Sequence, residues 1–240
     1  TFQTDTIVGK TITYEDLKAQ GMDGIFIATG VGVANYMGIP GEDLKGVYTA
    51  SEYLAKYNLM SPEDLAQALP SLRGKRVAVI GGGNTAIDAV RTAIRLDAKQ
   101  ATIVYRRSEE EMPARAEEIK HAREEGTEFF NLHNPVEYLG DESGHVTAMR
   151  LERMELGAPD ESGRRRPVAT GEIITVPVDE VIICIGYSAS TLVTKSMPEL
   201  EVNKWGNIVV DEGKKTSMPD VYAGGDIVRG AATVILAMGD

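Results

Sequence analysis

Residues 81–86 read Gly-Gly-Gly-Asn-Thr-Ala and fit the spacing G-x-G-x-x-A. The residue types at that spacing suit one kind of chemistry, the holding of a dinucleotide pyrophosphate. Gly81 permits a tight turn, Gly83 lets the backbone approach a phosphate closely, and Ala86 allows a helix to pack near its strand. The free N–H groups of Gly82, Gly83, Asn84 and Thr85, at the positive end of a helix, would face the anion. Such a pattern alone is weak, and a purely structural turn is its bland alternative. Here the flanking elements fall where the motif needs them. Residues 76–80 (Arg-Val-Ala-Val-Ile) read as a buried strand, and Ala86, Ile87, Val90, Ala93 and Ile94 recur at helical spacing over 84–96.

The end of the next strand, 101–105 (Ala-Thr-Ile-Val-Tyr), bears on which nucleotide fits. An NAD site usually places a carboxylate there for the ribose hydroxyls, whereas this chain places Arg106 and Arg107. Two guanidinium groups favour a 2′-phosphate, which arginine grips in a fork geometry, so NADP(H) is expected rather than NAD. The alternative is that both arginines pair with Glu109, Glu110 and Glu111.

Other candidate groups are weaker. Tyr14 and Lys18 match the Tyr-x-x-x-Lys pair of short-chain dehydrogenases, but they precede the glycine loop where that family has them after it, and read as chance. His121, His133 and His145 have no metal-ligand spacing. Cys184 lies in Ile-Ile-Cys-Ile and reads as packing, and Arg164-Arg165-Arg166 as a solvated turn. No side chain stands out as a catalytic acid or base.

The remaining elements frame these residues. A helix is expected over 14–20, a strand over 23–30, a loop over 31–47, a helix over 50–56 and another opening at Ser61-Pro62-Glu63-Asp64. A charged helix follows over 114–125. Strands come next at 127–130, 136–139, 146–155 and 172–177, with turns at 141–144 and 159–167. Beyond lie a buried strand at 181–185 and short strands at 208–210 and 221–223, the last entering Gly224-Gly225-Asp226. Strand–helix alternation around 76–130 implies a doubly wound α/β fold.

Composition narrows the function classes. A net charge of −11 opposes binding to a nucleic-acid backbone. The longest apolar run, 181–185, is far below the roughly 20 residues that span a bilayer, and no leader-like segment opens the chain. A single cysteine excludes an internal disulfide or a self-contained iron–sulfur cluster. The expected compartment is the cytoplasm.

Several stretches together resemble the small (β) subunit of glutamate synthase. They are Ile27-Ala28-Thr29-Gly30, Gly38-Ile39-Pro40-Gly41-Glu42-Asp43, Gly46-Val47-Tyr48, the glycine loop, the run from Tyr105-Arg106-Arg107 to Met112-Pro113-Ala114, and Ala223-Gly224-Gly225-Asp226. Wider relatives of that family are the flavin–NADPH portion of dihydropyrimidine dehydrogenase, sulfide dehydrogenase-like subunits and adrenodoxin reductase. The resemblance implies a Rossmann-like NAD(P)H-binding domain inserted in an FAD-binding domain, the two-dinucleotide architecture of glutathione reductase-like flavoproteins. Residues 48–185 would form the NAD(P)H domain, and 1–47 and 186–240 the FAD-domain segments.

By the same resemblance Thr29, Gly30, Gly225 and Asp226 would lie on the FAD side, with Asp226 on the ribityl chain. The helix near Ala232 and Thr233 would face the flavin pyrimidine. The implied activity is hydride transfer from NADPH to FAD, with electrons leaving for iron–sulfur clusters in a partner such as a large glutamate synthase-type subunit. Residues 1–22 hold only Gly9 and Gly21, so no FAD fingerprint can be built there. The expectation is therefore a portion of a longer flavoprotein, one that binds NADP(H), holds FAD weakly or not at all, and has no turnover alone. Two other readings remain: a nucleotide-binding sensor module without turnover, and a sulfide dehydrogenase or ferredoxin–NADP reductase-type subunit.

Overall fold

A computed structural model of the chain describes residues 2–61, 64, 71–161 and 163–240. They form two compact units, one of residues 36–185 and one of residues 1–35 with 186–240. The first division thus falls at 35/36 rather than at 47/48. Residues 36–47 belong with the inserted unit because Met37, Ile39, Leu44 and Val47 pack on one of its cores. Val47–Thr49 also forms an edge strand of its main sheet.

That sheet has five parallel strands. In chain order they are β3 (Val47–Thr49), β4 (Arg76–Ile80), β5 (Gln100–Tyr105), β6 (Glu128–Asn131) and β10 (Glu180–Ile183), with spatial order β3-β10-β4-β5-β6. Strand alternation sends Val77 and Val79 to one face and Ala78 and Ile80 to the other. The first face is covered by α2 (Ala50–Leu59), α3 (Asn84–Arg95) and α4 (Ala116–Glu124). The second is covered by a three-stranded antiparallel sheet of β7 (His133–Gly140), β8 (Val146–Pro159) and β9 (Arg165–Pro177), through Tyr138, Val146, Met149 and Leu151. A parallel sheet buried on both sides explains the continuous apolar runs of β4 and β10.

In α3, Ala86, Ile87, Ala89, Val90 and Ala93 are all buried. Three alanines on that stripe keep the helix axis close to the sheet. Burial of Ile87 and Val90 contributes about 1.5–3 kcal/mol each.

The other unit pairs β1 (Ile25–Ile27) in parallel with β12 (Val221–Ala223), and β2 (Val33–Ala34) antiparallel with β11 (Tyr187–Ser188). Its core gathers Ile27, Val193, Met197, Leu200, Ile208, Met218, Val221 and Ile227. Helices α1 (Tyr14–Ala19), α5 (Thr191–Ser196), α6 (Asp226–Arg229) and α7 (Val234–Met238) complete it.

Some expectations change. The loop expected over 31–47 contains β2 and leads into β3. The strand at 208–210 is a single bridge, Val202↔Ile208, closed by the turn at Gly206 (φ 81°). Arg165 and Arg166 open β9 rather than lying in a turn. The helix expected from Ser61 falls on residues of which, past Ser61, only Asp64 is described before Ser71.

Candidate functional site

In the 36–185 unit the candidate site is the turn between β4 and α3. Its three glycines are not equivalent. Gly81 has φ 137°, and a Cβ there would sit 2.3 Å from the Cys184 carbonyl oxygen. A Cβ on Gly82 would meet the Tyr105 ring at 2.8 Å, and the Gly82 carbonyl accepts from Ala114 N–H at 3.1 Å. These two shape the loop. Gly83 is different: the nearest atom to an added Cβ is Pro113 Cγ at 4.0 Å, so space stays open beside its backbone.

Gly83 caps α3 without a side-chain hydrogen bond. Its carbonyl accepts from Ala86 and Ile87 N–H at 3.0 and 3.2 Å. Among the described residues, nothing accepts from the N–H groups of Gly83, Asn84 and Thr85. The Asn84 side chain is turned to the loop instead, its Oδ1 accepting from Arg115 N–H at 3.0 Å. Open space beside Gly83 and three adjacent free donors at a helix N-terminus fit a pyrophosphate.

At the end of β5 the guanidinium of Arg106 is exposed and has no partner among the described residues. Arg107 donates its Nε–H to the Tyr105 hydroxyl at 3.0 Å, with its Cζ 5.6 Å from that ring's centroid. Among the described residues, none of the three glutamates that follow pairs with either arginine. Glu109 bonds Arg123, Glu111 accepts from Ser108, and Glu110 is exposed. Both arginines therefore keep donors for an anion, which fits a 2′-phosphate. The buried Cys184 thiol is pushed up by desolvation first and by Asp88 second, so it carries no thiolate nucleophile.

Sequence reasoning had no signal for two local features. One is Tyr105 as a prop beneath Gly82, legible only once the strand register is known. The other is the part Glu42 plays in the turn at 37–42, where its carboxylate accepts from Met37, Gly38 and Ile39 N–H at 2.7, 2.7 and 3.2 Å. The three N–H groups of that loop are satisfied by its own carboxylate.

In the other unit, the parallel register Ile25↔Val221 to Ile27↔Ala223 brings the turn holding Thr29 and Gly30 to the same sheet end as Gly224-Gly225-Asp226. Thr29 is exposed and Gly30 has φ 65°. Gly225 (φ 74°) starts α6, and its N–H donates to the Asp240 carboxylate at 2.8 Å. Lys214 and Arg229 also hold Asp240, and those hydrogen bonds keep its carboxyl far below the ordinary carboxylate range. Asp226 Oδ1 is buried with no partner in the described residues, an orphaned acceptor that fits a hydroxyl of a polyol chain. Thr233 caps α7 and Ala232 precedes it, both exposed.

Of the remaining candidates, Lys18 pairs with Asp220 at 3.3 Å. No group of acidic, histidine or cysteine residues could hold a metal among the described residues. No described helix is long and apolar enough to cross a membrane.

Residues 2–240 match the family model of the pyridine nucleotide-disulphide oxidoreductases. The chain is 38% identical over its whole length to the small chain of the NADPH glutamate synthase of Escherichia coli K12, spanning 52% of that protein. It is 41% identical over 99% of its length to the β subunit of an NADP(+)-dependent formate dehydrogenase of Moorella thermoacetica, spanning 33% of it. It therefore covers about half, or less, of these relatives. Among solved structures, Mycobacterium tuberculosis FprA in complex with NADPH superposes with a TM-score of 0.79 at 22% identity, over 96% of this chain and 63% of that one. Thioredoxin reductase of T. acidophilum gives 0.67 at 24% identity, over 90% and 61%. At such identities the structures share the fold.

Proposed function

Because the chain belongs to the pyridine nucleotide-disulphide oxidoreductase family, we propose that it is the NADPH-binding portion of a flavin-dependent oxidoreductase of the glutamate synthase small-subunit type. Its 36–185 unit interrupts the other unit in sequence, the arrangement of a Rossmann-like domain inserted in a second dinucleotide domain. The observation that carries the reading is the set of free N–H groups at Gly83, Asn84 and Thr85 beside two arginines without acidic partners.

When bound, NADPH supplies a hydride and FAD accepts it. The chain's own work is binding and positioning. Gly83, Asn84 and Thr85 hold the pyrophosphate, while Gly81, Gly82 and Ala86 shape the turn that presents them. Arg106 and Arg107 together supply the positive charge that favours a 2′-phosphate. On the FAD side, Asp226 accepts from a flavin-chain hydroxyl, and Thr29, Gly30, Gly225, Ala232 and Thr233 line the segment. No side chain acts as acid or base.

The relatives support a reading of the assembly around it. A glutamate synthase small chain and a formate dehydrogenase β subunit both name parts of larger enzymes. We place the electron acceptor in a partner subunit carrying iron–sulfur clusters, in the cytoplasm; the formate dehydrogenase relative supports an acceptor other than a glutamate synthase large subunit.

Titration of the chain with NADPH and NADH tests the reading. NADPH should bind tighter by at least about tenfold, and the double variant Arg106→Ala/Arg107→Ala should lose that preference. Equal affinities before and after substitution would overturn the 2′-phosphate assignment. In the flavin-loaded full-length protein, NADPH should bleach the flavin; a folded protein that does not bleach would favour a sensor module.

A further inference from the structure

The two arginines after β5 differ in how they are held. Arg106 is exposed and its guanidinium touches no acceptor among the described residues. Arg107 is fixed at three points. Its carbonyl accepts from Leu132 N–H at 3.1 Å, its Nε–H donates to the Tyr105 hydroxyl at 3.0 Å, and its guanidinium lies over the Tyr105 ring. The ring itself is fixed, being 8% exposed and packed against Gly82.

A phenol has one proton to give. Tyr105 gives it to the Glu111 carbonyl at 2.8 Å, which leaves the oxygen's lone pairs to accept from Arg107. The hydroxyl therefore has a fixed direction, and it accepts from Arg107 through Nε alone. The Nη edge of Arg107, with its four N–H donors, meets no acceptor among the described residues. With Nε taken by the hydroxyl, that edge is the fork left to Arg107 for a bidentate grip on a phosphate.

We propose that Tyr105 is a positioning residue for cofactor choice: by fixing Arg107 at Nε, it presents the Nη edge of Arg107, rather than that of Arg106, as the clamp for a ribose 2′-phosphate. The proposal rests on the reading of this loop as an NADPH site. It assigns the phosphate preference to a neutral hydroxyl that never touches the ligand. Ordering an arginine side chain on binding costs entropy, and a side chain already held loses less of it per bond formed. Arg106 has no such support and adds long-range attraction only.

The test uses adenosine 2′,5′-bisphosphate and 5′-AMP as probes, titrated calorimetrically, since they differ by the 2′-phosphate. Tyr105→Phe should weaken the bisphosphate about tenfold and leave 5′-AMP unchanged, so that the split between probes moves while general loop binding does not. Arg107→Ala should lose the bisphosphate preference, and adding Tyr105→Phe to it should cost nothing more. Arg106→Ala should weaken the bisphosphate only about two- to threefold.

A bisphosphate preference unmoved by Tyr105→Phe, or one lost in Arg106→Ala and kept in Arg107→Ala, would overturn the proposal while leaving the NADPH reading intact. A wild-type chain without any preference for the bisphosphate would overturn the NADPH reading itself. If Tyr105→Phe does not fold, Arg107→Lys serves. It keeps the charge but lacks the Nε donor, and it should lose the preference as Arg107→Ala does; a retained preference would overturn the proposal.

Discussion

Two glycine-bearing turns of the 36–185 unit invite comparison, residues 81–85 and residues 37–42. Both were conspicuous in sequence, and both rest on glycines with positive φ, Gly81 at 137° in one and Gly38 and Gly41 at 74° and 86° in the other. Their backbone donors are used oppositely. Glu42 collects the N–H groups of Met37, Gly38 and Ile39, whereas nothing in the described residues takes those of Gly83, Asn84 and Thr85. Free donors beside open space, rather than glycine content, therefore single out the turn proposed to hold the nucleotide. The turn at Gly225 is intermediate, its N–H already held by Asp240 while Asp226 Oδ1 stays unpartnered.

The comparison can be broken at four places. The largest effect is expected for Gly81→Ala. It places a Cβ 2.3 Å from the Cys184 carbonyl at a backbone angle L residues rarely adopt and should cost over about 4 kcal/mol. A thermal melt near wild type would show that Gly81 does not shape the loop. Next, Glu42→Ala leaves three donors without their acceptor and should cost about 2–3 kcal/mol. NADPH affinity should stay the same in the folded fraction; a loss there would mean that the 37–42 turn also serves the ligand.

Third, Gly83→Ala should melt within about 0.5 kcal/mol of wild type, because φ −89° suits alanine and no atom lies closer than 4.0 Å to the new methyl. NADPH affinity should nevertheless fall about 10- to 100-fold, or about 1.4–2.8 kcal/mol. Unchanged affinity would place the pyrophosphate elsewhere.

The smallest effect serves as a control at the opposite end of the same strands, where Asp179 pairs with Arg76 at 2.7 Å. Hydrogen bonds from Arg76 hold the Asp179 carboxyl down at about 2, against an ordinary value of about 3.9. A depressed carboxylate stabilises fully above its unfolded value and loses that contribution as pH falls from about 4 to about 2. Asp179→Asn should remove about 1 kcal/mol at neutral pH, discounted for solvent exposure, together with that acid-range slope. A persisting slope would point to other carboxylates, and neither turn should respond.

Much of this was legible in the residues. The β4–loop–α3 unit combines a periodicity, a glycine spacing and an alanine stripe that all agree, and local signals suffice where they agree. The 47/48 boundary was illegible because Met37, Ile39 and Leu44 join their core through contacts with strands some hundred residues later, such as Tyr138 and Val146. The strand at 208–210 looked apolar enough, yet one bridge is all its turn permits. Arg106 and Arg107 were named together because sequence shows charge but not tethering; the hydroxyl and ring of Tyr105 hold Arg107 and leave Arg106 exposed.

The central claim is that the donors of 83–85 hold the nucleotide while those of 37–39 are already committed. Backbone amide resonances followed during an NADPH titration test it most directly. The account predicts large shifts at Gly83, Asn84 and Thr85 and none at Met37, Gly38 and Ile39; shifts confined to the second set, or absent from the first at saturation, would contradict it.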